Sequence, residues 1–195
     1  MPRLTSNQMP LVQPSSLRLA LASLAVTLLA GLTLLAPGAS AAGCSYAGKA
    51  PAQLSAPQLQ KATLCMINAQ RHRRGLGSLR SHTSLRKAAA RHSNDMVRRD
   101  YFSHYGPGGS SIQTRISGSG YLRGANYFTF GEVIGGGTAR GGSPKSVVKA
   151  WMHSGPHRAA ILNGSFKDLG IGVARGYPGK GGQGATFTVD FGRRQ

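Results

Sequence analysis

Two histidines and one glutamate in this sequence have the residue types of a divalent-metal site. His104 follows the segment RRDYFS, and His157 follows the Ser-Gly-Pro turn in WMHSGPHRAAIL. Glu132 is the one acidic residue predicted at the entrance of a loop. Two imidazoles and a carboxylate suit zinc or a similar divalent cation with open coordination positions. The separations of 28 and 25 residues match no local metal motif, so only the fold could bring the three residues together.

The other four histidines have structural explanations. His72 and His82 lie in basic surroundings and are predicted on the surface. His92 falls on the apolar face of a predicted helix, where a core histidine is expected. His153 is predicted at a helix C-terminus, where a partly protonated imidazole interacts favourably with the helix dipole. None of these roles requires a ligand.

Other common catalytic signatures are missing from the sequence. The glycine-rich segment 135–142 is followed by no Gly-Lys-Ser/Thr, which excludes a phosphate-binding loop. No serine lies in a Gly-x-Ser-x-Gly elbow. The two-carboxylate chemistry of glycosidases requires two acids that flank one bond. The remaining acids fall on a predicted helix or on predicted strands: Asp95, Asp100, Asp168 and Asp190.

The elements that must position these residues alternate between helical and strand patterns. SAPQ at 55–58 has the capping-box form and predicts a helix that ends near Gly75. The predicted helices are 55–75, 84–99, a short one around SIQTRI, one from Ser143, and 157–162. The predicted strands are 127–134, followed by a glycine-rich loop, and a C-terminal hairpin over DLGIGVARG and ATFTVDFG. This order indicates an α+β fold.

The N-terminus has the pattern of a secretory signal peptide. A basic flank with Arg3 and Arg18 precedes the apolar run 19–36, and ASA at 39–41 is a small-residue cleavage site. We therefore predict a signal peptide over 1–41, a linker arm over 42–57, a secreted protein, and no transmembrane segment after cleavage. The alternatives are a retained signal anchor and a lipoprotein attached through Cys44.

Two cysteines, Cys44 and Cys65, remain after the predicted cleavage. In an oxidising compartment an even pair predicts a disulfide. Closing a loop of this length stabilises the fold by about 3 kcal/mol. A buried free thiol at Cys65 is the alternative.

The chain is strongly basic, with a net charge of +19. Cleavage after Ala41 removes two arginines and no acid, which leaves +17. Such a charge attracts polyanions: nucleic acid, anionic lipid surfaces or acidic wall polymers. The basic residues are scattered along the sequence, and aromatic residues are not interleaved with them. This distribution argues against specific nucleic-acid binding and favours a soluble secreted protein that adsorbs to anionic surfaces. We also predict a monomer.

Five segments resemble, in the same order, the motifs of the CAP (SCP/PR-1, cysteine-rich secretory) superfamily. They span about residues 59–192: LCMINAQRHRRGLGSL, LRKAAARHSNDMVRRDYFSH, FGEVI, VVKAWMHSGPHRAAIL, and FKDLGIGVA with TVDFG. The resemblance implies a CAP domain over 58–193. Its expected fold is a three-layer α-β-α sandwich around a central, mostly antiparallel sheet. Secreted bacterial members often carry one cysteine before the domain and one in the first helix, which matches Cys44 and Cys65.

The resemblance also implies a cleft in which two histidines and two acids can hold a divalent ion. The matching positions are His104, His157 and Glu132. The second acid has no counterpart, because HYGPGGSS follows the first histidine, and Val133 replaces the asparagine after Glu132. A structural role for Glu132 therefore competes with metal binding: it could cap the 103–105 turn or hold an imidazole in one tautomer.

Three functions follow as hypotheses. The favoured one is a secreted, non-enzymatic binding module with a cleft and a basic surface. The second is a metal-dependent hydrolase in which His104, Glu132 and His157 activate a water, although no general base remains once Glu132 is a ligand. The third is specific nucleic-acid binding, which charge alone motivates.

Overall fold

The computed structural model describes residues 43–180 and 182–195, so the predicted signal peptide lies outside the described residues. No helix in this part of the chain is long and apolar enough to cross a membrane. Its helices are α1 (Ala56–His72), α2 (Thr83–Arg98), α3 (Ile112–Gly118), α4 (Pro144–His153) and α5 (Gly155–Ile161). Its strands are β1 (Arg80–Ser81), β2 (Phe128–Gly137), β3 (Asp168–Arg175) and β4 (Ala185–Arg194).

One four-stranded sheet runs through the centre of the fold in the order β1-β3-β4-β2. The C-terminal hairpin β3–β4 is antiparallel, and β2 joins the other side of β4, also antiparallel. The two residues of β1 pair parallel with β3. In this register Glu132 on β2 lies opposite Asp190 on β4.

Helices cover both faces of the sheet. The larger apolar core joins α1, α4 and α5 to one face through residues such as Ile67, Trp151 and Phe191. On the other face, Leu85 of α2, Ile116 of α3 and Tyr121 form a second cluster. This arrangement confirms the predicted α-β-α sandwich with a mostly antiparallel sheet.

The helix starts follow the capping residues in the sequence. Ser55 accepts a hydrogen bond from the Gln58 amide, and the Gln58 side chain accepts one from the Ser55 amide, which completes a capping box. Ser143 caps α4, with Pro144 in the first turn. The break between α4 and α5 is a single residue, Ser154, because the Gly-Pro pair that follows is accommodated in the first turn of α5.

The glycine-rich segment after residue 134 is not the predicted loop. Gly135, Gly136 and Gly137 continue β2 in register with β4. A Cβ on Gly135 would lie 2.6 Å from the Trp151 indole nitrogen, which itself donates to the Ile134 carbonyl. The glycines therefore allow α4 to pack directly on the strand, which explains their presence in a strand interior.

The segment predicted as a linker arm packs on the domain. Cys44, Ala47 and Leu54 are buried in the larger core. The structure contains the Cys44–Cys65 disulfide, which joins this segment to α1. The Arg175 guanidinium at the end of β3 also donates to backbone carbonyls of the segment. At least residues 44–54 are thus part of the folded unit rather than a free linker.

Candidate functional site

Glu132 is at the centre of a buried charge cluster. One carboxylate oxygen, Oε1, lies 2.7 Å from Nδ1 of His104. The other, Oε2, accepts a 2.6 Å hydrogen bond from Nη2 of Arg115. The side chains of Glu132 and Arg115 are 2 % and 9 % exposed, whereas that of His104 is 45 % exposed. Both oxygens of the predicted ligand Glu132 are therefore engaged by protein groups.

Three elements bring the cluster together. Glu132 lies in the middle of β2, and Arg115 lies on α3, which Ser111 caps. His104 lies on the loop after α2. The side chain of Arg115 donates a 3.1 Å hydrogen bond to the backbone carbonyl of His104 and so holds this loop in place. His92 of α2 contacts the Ser103 carbonyl at 2.9 Å through Nε2. The position of His104 therefore depends on both helices of this face.

The two facing carboxyl groups of the sheet have opposite electrostatic environments. Burial alone would raise the pKa of Glu132, but the His104 hydrogen bond and the Arg115 charge lower it below its usual value. Burial raises the pKa of Asp190 well above its usual value, and the negative charge of Glu132 raises it further. No donor from another group reaches either oxygen of Asp190 in the described residues, and the protonated form of Asp190 can donate a hydrogen bond to Glu132, which also raises its pKa. Glu132 is therefore the ionised member and Asp190 the protonated one.

An open cavity of about 290 Å³ lies beside this cluster. Its lining combines the His104 and Glu132 side chains with apolar groups: Tyr105, Ile112, Phe130 and Gly131. His157 on α5 is outside this lining, but the charge of His104 acts on it: burial, and then that charge, lowers the pKa of His157. The structure thus joins His104 directly to Glu132 and places His157 within electrostatic range.

The predicted metal ligands do not fit a three-ligand site in this arrangement. Both Glu132 oxygens are occupied, and Arg115 places a positive charge against the carboxylate. Across residues 43–180 and 182–195, no group of three or more His, Cys, Asp or Glu side chains could hold an ion. Metal binding by His104, Glu132 and His157 stays a prediction. The competing structural role has direct support, because Glu132 holds the imidazole of His104.

The remaining histidines lie largely where the sequence placed them. His92 is buried, and His153 is exposed at the end of α4. His72 is exposed and contacts Ser78. The prediction for His82 is wrong: it is half-buried, caps α2 through Nδ1, and packs edge-on against Tyr121 with ring centroids 4.8 Å apart. The predicted helix began at residue 84, whereas α2 begins at Thr83 with His82 as its cap.

Sequence reasoning missed two residues of the site, Arg115 and Asp190. Arg115 lies in a short helix next to glycine-rich segments, and one arginine in such a basic chain gives no distinctive signal. Asp190 stands in a strand whose other residues are buried, ATFTVDFG, and its cross-strand partner is Glu132. A charged residue inside an apolar strand pattern is the signal that could have identified Asp190.

Comparison with known proteins gives the same assignment as the fold. The sequence model of the CAP (cysteine-rich secretory protein) family matches residues 64–191 of this chain. An uncharacterised Bacillus subtilis protein, YkwD, is 37 % identical over 123 residues, which are 63 % of this chain and 44 % of that protein. The chain thus spans less than half the length of this curated relative.

Two solved structures share the fold. An outer surface protein from Borrelia burgdorferi aligns with a TM-score of 0.60 at 21 % identity, over 73 % of this chain and 97 % of that one. An extracellular SCP-domain protein from Bacillus anthracis aligns with a TM-score of 0.55 at 24 % identity, over 71 % and 43 % of the two chains. The family match covers most of the described residues, and the chain belongs to the CAP, or cysteine-rich secretory protein, family.

Proposed function

We propose that this protein is a secreted, non-enzymatic binding module that adsorbs to anionic envelope or host material through its basic surface. The main supporting observation is the state of the cleft: the one ionised carboxylate there, Glu132, is closed off by His104 and Arg115. The metal-dependent hydrolase described above would need that carboxylate free as a metal ligand. The extracellular and outer-surface descriptions of structurally similar proteins support secretion.

The charge balance supports adsorption as the mode of binding. The sequence has 24 basic and five acidic residues; three of those acids lie in ion pairs with arginines, and a fourth, Asp190, is protonated. The surface field is therefore dominated by lysines and arginines, most of which carry no carboxylate partner in the described residues. Such a field attracts any polyanion and weakens as salt screens it.

The test is retention of the protein, recovered from the medium of a secreting host, on anionic supports. We expect it to bind polyglutamate beads and phosphatidylglycerol vesicles at low salt, and to elute as salt approaches about 1 M, where the screening length falls to about 3 Å. The His157→Ala variant should be retained equally well. Absence of salt-dependent retention on both supports contradicts the adsorption proposal.

A metal-binding cleft is the second candidate, and one observation favours it. Glu132 engages Nδ1 of His104 and leaves Nε2 without a protein partner in the described residues, which is how carboxylates orient metal-binding imidazoles. Burial lowers the pKa of His157 and so favours its neutral, ligating form. Calorimetric titration with ZnCl₂ tests this candidate: His157→Ala should weaken binding, and His153→Ala should not. A chelator-sensitive hydrolysis that His157→Ala abolishes in a folded protein would favour the enzyme instead.

A further inference from the structure

The sheet brings aromatic and basic residues together that are far apart in the sequence. Phe128 at the start of β2 is opposite Arg194 at the end of β4, and Thr129 is opposite Arg193. Tyr127 exchanges backbone hydrogen bonds with Gln195 at the same end of the sheet. We define the sheet-end patch as five residues: Arg123, Tyr127, Phe128, Arg193 and Arg194.

Both aromatic residues of the patch are exposed. Tyr127 is 54 % exposed and Phe128 is 40 % exposed. Phe128 stacks on Phe130 with ring centroids 6.1 Å apart, so its position is fixed by the fold. Two neighbouring exposed aromatic residues, one of them held in place by stacking, point to a partner surface.

The arginines of the patch are available for anionic groups. The Arg194 guanidinium lies over the Tyr121 ring, 5.5 Å from its centroid, and donates to the Arg123 carbonyl at 3.3 Å. None of Arg123, Arg193 and Arg194 has a carboxylate partner within 4.0 Å among the described residues. Asp168, which faces the same end of the sheet, is already engaged by Tyr121 at 3.0 Å.

We propose that the sheet-end patch docks on an anionic lipid bilayer. This inference rests on the proposed adsorption and names its surface and its partner. Tyr127 lies in the bend just before β2, and Phe128 is the first residue of that strand, so both rings lie at the same end of the sheet as the arginines. When this end of the sheet meets a plane, both rings can enter the interfacial layer. Aromatic rings favour that layer, and the arginines reach the anionic headgroups.

The experiment measures binding to vesicles made of equal parts phosphatidylglycerol and phosphatidylcholine, with the protein recovered from the medium of a secreting host. The Arg193→Gln/Arg194→Gln variant should bind about tenfold more weakly than the wild type, because each basic residue near an anionic surface strengthens the electrostatic attraction between protein and membrane. The Tyr127→Ala/Phe128→Ala variant should lose a comparable factor and should keep its salt dependence.

Matched variants separate the patch from the rest of the basic surface. Lys145→Gln/Lys149→Gln removes the same charge from exposed positions on α4, and Tyr105→Ala removes the most exposed aromatic residue of the cleft. Both should bind the vesicles within about twofold of the wild type, since neither touches the patch. Pure phosphatidylcholine vesicles should bind none of these proteins.

A fluorescence reporter keeps the test valid if the alanine variant fails to fold. The chain has one tryptophan, Trp151, and it is buried. Phe128→Trp retains an aromatic ring at the patch, and we expect its emission to shift to the blue on anionic vesicles beyond any change in the wild type. An unshifted emission on vesicles that bind the protein overturns the inference.

The outcomes distinguish this inference from the function on which it rests. If the wild type binds neither anionic vesicles nor polyglutamate, the proposed adsorption fails and the inference fails with it. If it binds and the patch variants behave like the α4 control, adsorption stands, but the sheet-end patch is not the docking surface. If the aromatic variant loses polyglutamate binding as strongly as vesicle binding, the patch recognises polymers and the bilayer assignment is overturned.

Discussion

The buried ion pair of Glu132 and Arg115 connects β2 to α3 and holds the cleft in shape. Its two side chains are 2 % and 9 % exposed, and the same arginine also binds the His104 and Ser110 carbonyls. Removing one charge of such a pair leaves the other buried and uncompensated. We expect Glu132→Gln to lower the free energy of unfolding by about 3 kcal/mol, measured by urea denaturation.

An exposed ion pair provides the matched comparison for Glu132→Gln. Arg98 pairs with Asp95 at 2.9 Å, and its side chain is 75 % exposed. Arg98→Gln should lower the free energy of unfolding by less than about 1 kcal/mol. Equal losses for the two variants would mean that the Glu132–Arg115 pair is hydrated in solution and does not organise the cleft.

Asp190 is a buried carboxyl group whose protonated form can donate a hydrogen bond to Glu132, and no other group in the described residues bonds to it. Keeping Asp190 protonated at neutral pH costs more folding free energy than one hydrogen bond returns, so Asp190→Val should raise the free energy of unfolding by about 1–2 kcal/mol at pH 7. The gain should grow as pH rises above about 4, where the unfolded carboxyl ionises, because the raised pKa keeps the folded group protonated. Urea titrations from pH 4 to 8 measure this. A gain that shrinks with rising pH would show that Asp190 is ionised in the fold.

The backbone of α2 packs directly on β3. A Cβ on Gly172 of β3 would lie 2.2 Å from the Ala89 carbonyl carbon of α2. We expect Gly172→Ala to destabilise the fold by about 3 kcal/mol, because the helix must move off the strand. The same movement would displace His92, and with it the loop of His104. Thermal unfolding and the ¹⁵N chemical shifts of the imidazoles measure both effects.

Gly155→Ala is the control for Gly172→Ala. A Cβ at Gly155 meets nothing within 4 Å, and the residue begins α5. Alanine there should leave stability unchanged or raise it by up to about 1 kcal/mol. A similar loss at both glycines would mean that backbone flexibility, and not the contact of α2 with β3, causes the effect.

The elements also show how far the sequence predicts this fold. Capping residues such as Ser55 and Ser143 lie next to the helices that they start, so neighbouring residues in the sequence were enough to predict where α1 and α4 begin. The strand character of 135–137 could not be predicted, because it depends on the pairing of these glycines with β4, and the packing of Trp151 on Gly135 explains why they are glycines. The two-residue strand β1 exists only through its pairing with β3. Tertiary contacts, which local patterns do not contain, determine both features.

The same limit applies to the candidate site. His104 and Glu132 carry a side-chain chemistry that marks them in the sequence, and the structure joins them at 2.7 Å. Arg115 became part of the site only because α3 folds against β2. The sheet-end patch is a similar case, since strand pairing places Phe128 beside Arg194 across 66 residues of sequence.

On the scale of the whole molecule, buried histidines make stability depend on pH. Burial lowers the pKa of His92, and the pKa values of His82 and His157 are lowered in the same way. Below about pH 6.5 the unfolded chain takes up protons that the folded chain does not accept, so the free energy of unfolding falls as pH falls. Each histidine contributes at most about 1.4 kcal/mol per pH unit.

His92→Gln tests the pH dependence that comes from the most deeply buried of these histidines, since His92 is 1 % exposed. The glutamine side chain can still donate to the Ser103 carbonyl but does not titrate. Urea midpoints measured from pH 7.5 to 5 should therefore fall less steeply for His92→Gln than for the wild type. His153→Gln, at an exposed position, should follow the wild type. Parallel curves for the wild type and His92→Gln would mean that His92 accepts its proton within the folded state, which the burial of His92 argues against.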